Sequence, residues 1–338
     1  MHRAIKKYFL LFFITINGAI SAYCQQDPRS SFYMQNIGAY NPGYVGSQKQ
    51  GDALLDFNQP FGQFKDGAGN NIQPNTWWLN ANAPLSKLNS GIGINTYVDK
   101  NGLFETNTHL ALQYAYQLEI GDGKLGIGAN IGFNKLSYDF SKAVYPSDVS
   151  TGSGGTDQSI ENLKKQKSIN PFNLGLGAYY QKDNIYFGFS MTNINSPKLK
   201  INQEKLKYFI PHAYFLAGFT YHPTNPLLVI MPSMQYKSPI NGKLKITGSQ
   251  LSISTIVEYS KFILVGAQYS TGNELTAMLG ANIKNGSKYD GARFLLAYNI
   301  IGSKLGGLSG MKFEAIVGYS FNLHIEKNTK TYKSVRFL

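Results

Sequence analysis

The sequence contains one cysteine, Cys24, among 338 residues, so no disulfide can form within the chain. Beyond its N-terminal segment it has no run of 18 uncharged apolar residues, which argues against a helical membrane protein. Acidic residues are scarce, with 19 Asp and Glu against 32 Lys and Arg. An excess of basic over acidic residues can indicate nucleic acid binding. Here we expect the excess Lys and Arg to lie at loops and strand ends, near anionic lipid headgroups.

Motifs that carry catalysis or hold metals are missing as well. The five histidines show no His-x-x-x-His or Glu-x-x-His spacing. There is no Gly-x-Ser-x-Gly nucleophile motif, and the Gly-rich run at 151–156 lacks the Gly-Lys-Ser/Thr of a phosphate-binding loop. We therefore predict a protein that is not an enzyme, with no catalytic residue, metal site or cofactor.

The first 24 residues form a separate unit. Arg3, Lys6 and Lys7 give a basic head, an apolar run follows at 8–16, and a cleavage site follows at 22–24. This arrangement predicts a secretory signal peptide over 1–24. A lipid anchor on Cys24 is the alternative, although tyrosine, here Tyr23, is an unfavourable residue directly before a lipidated cysteine. A secreted chain does not meet nucleic acid, so we expect no such partner.

The most informative feature of the sequence is the alternation of apolar and polar residues. Within 124–134, every second residue is apolar and the residues between are Gly or Asn. Successive side chains of a strand point to opposite faces, so this segment predicts a strand with one apolar and one polar face. Fourteen segments are predicted to be strands, near 52–58, 74–83, 90–98, 105–118, 124–137, 172–181, 184–193, 210–221, 226–237, 243–257, 261–270, 274–284, 290–300 and 311–323.

Strand number and length favour a membrane barrel. Many of these segments exceed ten residues, whereas strands of a soluble β-sandwich, the structural alternative, usually have about 5–6. We predict an all-β fold, a transmembrane antiparallel up-and-down β-barrel over 52–323, in the outer membrane. With an even strand number, both termini are expected to be periplasmic, including a tail at 324–338. The longest connections, at 59–73, 138–171 and 194–209, are then expected to be extracellular.

Residues 25–51 precede the barrel and do not alternate. They contain Asp-Pro and Asn-Pro dipeptides, which form turns because the Asp or Asn side chain bonds the backbone and Pro fixes φ. The segment is also rich in aromatic residues and amides. We predict that it packs against the periplasmic mouth or enters the lumen; a poorly ordered linker is the alternative.

This segment resembles the start of the PorP/SprF family of type IX secretion system outer-membrane proteins in Bacteroidetes. The matching positions are Gln26, Asp27, Pro28, Tyr33, Met34, Asn36, Asn41, Pro42, Tyr44 and Gly46. The chain departs from the family at Ile37, where Pro is usual, and at Gly43 and Val45, where Ala is usual. Further resemblance in the glycine-alternating strands covers nearly the whole mature chain, and the tail is closer to the gliding-associated SprF branch.

The resemblance implies a function in protein export. A protein of this family would be needed for secretion or surface attachment of one large exported protein, by binding its C-terminal domain; in gliding bacteria that client is an adhesin. Periplasmic motor-ring or peptidoglycan-linked components are expected as further partners, and outer-membrane lipid surrounds the barrel. The client would seat in the lumen or dock on loops 138–171 and 194–209. The alternative is a porin or transporter for small solutes, because a polar inner face fits a wet lumen equally well.

Overall fold

The computed structural model describes residues 27–61, 73–101, 104–138, 168–201, 204–207, 209–240, 248–271, 274–283, 290–301 and 311–322. The predicted signal peptide at 1–24, the Gly-rich run at 151–156, the tail at 324–338 and most of loop 138–171 lie outside these residues. Within these described residues, helical structure consists of α1 (Ile37–Tyr40) and two 3-10 turns, Pro42–Tyr44 and Ser86–Leu88.

The described residues contain seventeen strands. They are β1 (Gly51–Phe61), β2 (Asn75–Leu85), β3 (Ser90–Asn101), β4 (Glu105–Ile120), β5 (Gly123–Tyr138), β6 (Ser168–Ile169), β7 (Phe172–Lys182), β8 (Ile185–Thr192), β9 (Lys198–Ile201), β10 (Glu204–Lys207), β11 (His212–Phe219), β12 (Leu228–Pro239), β13 (Gln250–Tyr259), β14 (Ile263–Ser270), β15 (Glu274–Asn282), β16 (Ala292–Ile301) and β17 (Met311–Phe321).

Fourteen of these strands form a closed antiparallel barrel in which each strand pairs with its neighbours along the chain. Closure is made by β1 and β17, which pair from Gly51↔Phe321 to Phe61↔Met311. The two residues of β6 extend the sheet beside β5, and β9 and β10 form a separate hairpin between β8 and β11. A closed barrel leaves no unpaired strand edge, so backbone groups are satisfied where no water can reach them. The predicted fold class is confirmed.

The fourteen predicted strands correspond to the fourteen barrel strands, but one boundary is wrong. The strand predicted to begin at residue 243 begins at Gln250. Gly248, with φ of 90°, turns the chain just ahead of it, in a conformation that favours glycine. Among the described residues, no helix combines the length and apolar character needed to cross a membrane.

The barrel has two ends, which differ in their connections. At the near rim, β1 begins and β17 ends, and two of the turns, 121–122 and 183–184, have two residues. The opposite end, the far rim, carries the three longest connections, 62–74, 139–171 and 193–211. Long connections of outer-membrane barrels are generally extracellular, so the near rim remains the predicted periplasmic side.

The two faces of the wall follow the alternation in the sequence. On β5, Ile127, Ile131 and Phe133 point outward and are 52%, 55% and 57% exposed, whereas Asn130 and Asn134 point inward and are buried. Large apolar residues exposed in this way on thirteen strands form the band that a membrane barrel presents to lipid. The interior is therefore where the molecule packs its core.

Residues 27–50, here called the plug, occupy the lumen. Asp27 bonds Thr192, at the far-rim end of β8, whereas Gly46 packs against Gly91, at the near-rim start of β3. The plug thus crosses the lumen from the far rim to the near rim before β1 begins at Gly51. The segment ahead of the barrel was predicted to lie at the periplasmic mouth or in the lumen, and its described residues lie in the lumen. The first described residue and the end of β17 consequently lie at opposite rims.

Candidate functional site

At the far rim, Asp27 is held by side chains from three adjacent strands. Its carboxylate accepts hydrogen bonds from Thr192 Oγ1 (3.0 Å), Asn193 Nδ2 (3.2 Å) and the Tyr214 hydroxyl (3.1 Å). Its backbone carbonyl accepts a bond from Lys237 Nζ at 2.9 Å. These contacts fix the start of the plug against β8, β11 and β12.

The electrostatics of this contact favour the charged carboxylate. Burial raises the pKa of the Asp27 carboxyl, but the charges of His212 and Lys237 and the hydrogen bonds from Thr192 and Tyr214 oppose this effect, and together they hold the pKa below its ordinary value of 3.8. His212 Nδ1 lies 3.5 Å from Asp27 Oδ2. Opposite charges and donors at close range stabilise an ionised carboxylate.

The next plug residues bind the other side of the wall. Arg29 forms an ion pair with Glu274, at the start of β15. Glu314 on β17 is fully buried and accepts bonds from Ser30 Oγ (2.5 Å) and from the Ser31 backbone N–H (2.9 Å). Without Glu314 the Ser30 hydroxyl and the Ser31 N–H would lose this acceptor, and an unsatisfied donor is costly in a buried site.

Helix α1 is too short to satisfy its own carbonyl groups. The last carbonyls of any helix lack an intrahelical partner, and here inward-facing side chains of the barrel supply donors. These bonds are Gln113 Nε2 to Gly38 O (2.8 Å), Asn95 Nδ2 to Ala39 O (3.0 Å) and Ser190 Oγ to Tyr40 O (2.8 Å). The polar inner face of β3, β4 and β8 therefore binds the plug backbone.

The Asn-Pro dipeptide forms the expected turn, and glycines of the wall make room for it. Asn41 Oδ1 accepts a bond from Gly43 N at 2.9 Å, and Asn41 Nδ2 donates to Ala178 O on β7 at 2.9 Å. A Cβ on Gly126 would collide with the backbone of Gly43, and one on Gly177 would collide with the Asn41 side chain. The turn thus lies directly against the backbones of β5 and β7.

Apolar side chains of the plug fill two pockets of the inner wall. Phe32, fully buried, packs against side chains from β1 and β13–β17, namely Leu54, Ile256, Leu264, Met278, Leu295, Ala297 and Ile316. Tyr33, Ile37 and Tyr40 pack on the other side with a cluster that includes Trp78 and Tyr214. Burying this apolar area stabilises the plug inside the barrel, at about 25 cal/mol per Å² of apolar surface.

Of the ten positions that match the family motif, Gln26 lies outside the described residues and the other nine, predicted as family-motif site residues, lie in the plug. Asp27, Asn41 and Pro42 contact the wall as described, Pro28 is buried, and the Tyr33 hydroxyl lies 3.1 Å from Ser233 Oγ. Gly46 has φ of 77°. Tyr44 packs edge-on against Tyr179 with ring centroids 5.1 Å apart, and Met34 contacts both apolar clusters. The side-chain nitrogen and oxygen of Asn36 are buried and have no hydrogen-bond partner in the described structure.

Sequence reasoning missed the partners on the wall. Gln113, Asn95, Glu314 and Glu274 lie 56 to 284 positions from the plug residues they bind. The signal that could have found them was weak: each is an amide or carboxylate on the inward face of its strand. His109 on β4 faces the lumen and is buried, and its Nδ1 lies 2.5 Å from Asn134 Oδ1.

Cavities remain between the plug and the wall. One of about 30 Å³ lies beside Asp27, Tyr97 and Tyr214, which is room for one or two water molecules. A larger one, of about 770 Å³, opens at the near rim below Met34 and Tyr44 and is here called the vestibule. Across the described residues, no group of three or more His, Cys, Asp or Glu is placed to hold a metal ion. The arrangement holds a segment of the chain inside the barrel.

Solved structures similar to this chain are membrane barrels of low sequence identity. The P. putida toluene transporter TodX has a TM-score of 0.47 at 12% identity, covering 86% of this chain and 95% of that chain. The monoaromatic hydrocarbon channel CymD has a TM-score of 0.47 at 14% identity, covering 86% and 94%. The translocator domain of the autotransporter NalP from Neisseria meningitidis has a TM-score of 0.40 at 12% identity, covering 86% and 95%.

No curated protein sequence matches the chain. The family described as type IX secretion system membrane protein PorP/SprF matches residues 22–326, which is most of the chain and includes the plug and all fourteen barrel strands. A family of membrane proteins on a closed β-barrel with an apolar outer band is an outer-membrane family. The chain therefore belongs to the PorP/SprF family of type IX secretion system membrane proteins.

Proposed function

We propose that this protein is a non-enzymatic partner of one large exported protein and is needed for its secretion or surface attachment. The partner would be bound through its C-terminal domain, and a gliding adhesin of the kind served by the SprF branch is the expected client. The observation that carries the proposal is the plug. A lumen filled by the chain's own residues, bonded to the wall at both ends, makes the barrel a rigid scaffold for its loops.

The plug also bears on the alternative, a porin or transporter for small solutes. A solute crossing the described lumen would have to pass Phe32, Tyr33 and Tyr40, which are nearly fully buried. The cavity beside Asp27 holds about 30 Å³, less than a small solute requires. Transport would need the plug to leave a site where it makes many buried contacts, so the observation favours a docking function.

The far rim offers the surface for docking. It carries the longest connections. In the connection between β8 and β11, at 193–211, strands β9 and β10 pair with each other from Lys198↔Lys207 to Ile201↔Glu204 and, among the described residues, with no barrel strand. Of the loop predicted at 138–171, residues 139–167 lie outside the described structure. The hairpin at 198–207 is therefore the part of the proposed docking surface that can be altered without touching a barrel strand.

The test is recovery of the tagged mature barrel from its native outer membrane in mild detergent, with bound proteins identified by mass spectrometry. We expect one large exported protein, which is lost when its C-terminal domain is deleted. A variant in which 198–207 is replaced by a short Gly-Ser turn should retain the barrel and lose the client. An unaccompanied barrel that conducts ions steadily in a planar bilayer would contradict the proposal and favour transport.

A further inference from the structure

Two carboxyl groups lie inside the barrel on neighbouring strands, where the plug meets the wall. Asp56 on β1 and Glu314 on β17 both face the lumen and are 2% and 0% exposed. The two strands pair so that Asn58 lies opposite Glu314 and Asp56 lies opposite Ile316. Asp56 and Glu314 are therefore diagonal neighbours on one face, a separation that long side chains can bridge, and their carboxyl groups interact.

The two carboxyl groups differ in their hydrogen bonds. Glu314 accepts the bonds from Ser30 and Ser31 of the plug, whereas both oxygens of Asp56 are buried and have no hydrogen-bond partner in the described structure. The Ser30 hydroxyl has one proton to donate, and because Glu314 receives it, Ser30 cannot also donate to Asp56. An ionised carboxylate that is buried without a partner is costly, and such a group takes up a proton instead.

The charges around Asp56 lead to the same conclusion. Arg29 of the plug and Lys312 on β17 are the cations of this cluster, and its other carboxyl groups are Glu274 and Glu314. Arg29 is engaged in its ion pair with Glu274, and among the described residues neither cation bonds the Asp56 carboxylate. With one proton on Asp56, two positive and two negative charges remain, and the cluster is neutral.

The other groups that face Asp56 supply no countercharge. On the plug side Tyr40 lies near it, and the Tyr40 hydroxyl accepts a bond from the Ser30 backbone N–H at 2.8 Å. On the wall, β2 places Trp78 opposite Asp56, and an indole ring carries no charge. Two ionised carboxylates can only accept hydrogen bonds, so the contact between Asp56 and Glu314 becomes a hydrogen bond when one of them is protonated.

We infer that Asp56 and Glu314 share one proton while the plug is seated, and that this proton helps to hold the plug in the lumen. The Asp56 O–H donates to Glu314, which in turn accepts the bonds from Ser30 and Ser31. When the plug leaves, water reaches both carboxyl groups and the proton passes to solvent. The closed state then binds more protons than the open state, so the seated plug is stabilised at low pH and loses this stabilisation as the pH rises.

Infrared difference spectroscopy of the full-length barrel tests for the proton, because a protonated carboxyl group has a carbonyl stretch that an ionised carboxylate lacks. Asp56→Asn removes the carboxyl group and keeps an N–H that can donate to Glu314, so the barrel should fold. At neutral pH we expect Asp56→Asn to lose one protonated-carboxyl band. The matched control Glu119→Gln, which alters an exposed carboxylate, should lose none. Protonated-carboxyl bands that are unchanged in Asp56→Asn would overturn the inference.

The pH dependence of plug opening tests whether the proton holds the plug. A cysteine at the buried position of Ala39 on α1 reacts with a thiol reagent when the plug opens. Because thiol reactivity itself depends on pH, its rate is divided by that of Ser260→Cys, an exposed position in the near-rim turn 260–262. We expect this ratio to increase several-fold between about pH 6 and about pH 9, and Asp56→Asn to lose most of the increase. A ratio that is constant, or that increases equally in both chains, would overturn the inference.

Discussion

Glu314 should control how firmly the plug is held. Its side chain is fully buried and accepts bonds from the Ser30 hydroxyl and the Ser31 backbone N–H at 2.5 Å and 2.9 Å. Glu314→Ala removes both acceptor oxygens and leaves these donors inside the barrel without partners. The barrel strands themselves lose no backbone hydrogen bond, so the effect should fall on the plug.

The size of the effect follows from the two lost bonds. A buried hydrogen bond whose loss leaves a donor unsatisfied costs roughly 1–3 kcal/mol. Taking about 1.5 kcal/mol for each of two donors gives about 3 kcal/mol in the free energy of plug opening. This corresponds to an increase of about 150-fold in the opening equilibrium constant.

The opening can be measured by thiol labelling. Ala39→Cys places a small thiol on α1, where Ala39 is buried, and its labelling rate reports the population of the open plug when closing is fast. Labelling should be faster in Glu314→Ala by the factor given above, intermediate in Glu314→Gln, which keeps one acceptor, and unchanged in Glu119→Ala, which removes an exposed carboxylate. Equal labelling rates in Glu314→Ala and Glu119→Ala would refute the argument that Glu314 holds the plug.

Three further outcomes are expected. Gly177→Val should raise protease cleavage within the plug, because its side chain would collide with Asn41. Since the pKa of Asp27 lies below 3.8 in the folded protein, its contribution is complete above about pH 4 and is lost as pH falls through the folded pKa; Asp27→Asn should remove this component from the pH dependence of Ala39→Cys labelling. Epitopes placed before Asp27 and within the 183–184 turn should be accessible from opposite faces of the membrane, and accessibility from one face would contradict the plug's path.

The barrel could be predicted from sequence because alternation is a local signal. Every second residue of β5 faces lipid, and the period of two is visible in eleven consecutive residues at 124–134 without knowledge of any other strand. Turn residues then mark where each strand ends. The boundary at Gln250 was missed because the sequence at 243–249 also alternates like a strand. The positive φ of Gly248, which turns the chain just ahead of β13, is not visible in that pattern.

The lumen core could not be predicted in the same way, although one signal was present. On β16, Phe294, Leu295, Leu296 and Ala297 are four apolar residues in succession, and β14 has three in succession at 263–265. In a membrane barrel the outer face of a strand is apolar because it meets lipid. A strand that is apolar on both faces therefore indicates an apolar inner wall as well. Apart from Leu54, the buried residues that pack with Phe32 in this pocket lie more than 200 positions from it, and no local pattern reports such contacts.

The N-terminal motif and the glycine-alternating strands carried the family resemblance as separate features, but in the structure they are two sides of one contact. Asn41 and Pro42 lie where side chains on Gly128 and Gly177 would otherwise be, so both sets of residues are needed to seat the plug. Asn41 and Pro42 are therefore accounted for by contacts within the chain. Met34 and Tyr44 differ, because they also face the vestibule, and a partner contact of the motif is to be sought at those two positions before Asn41 or Pro42.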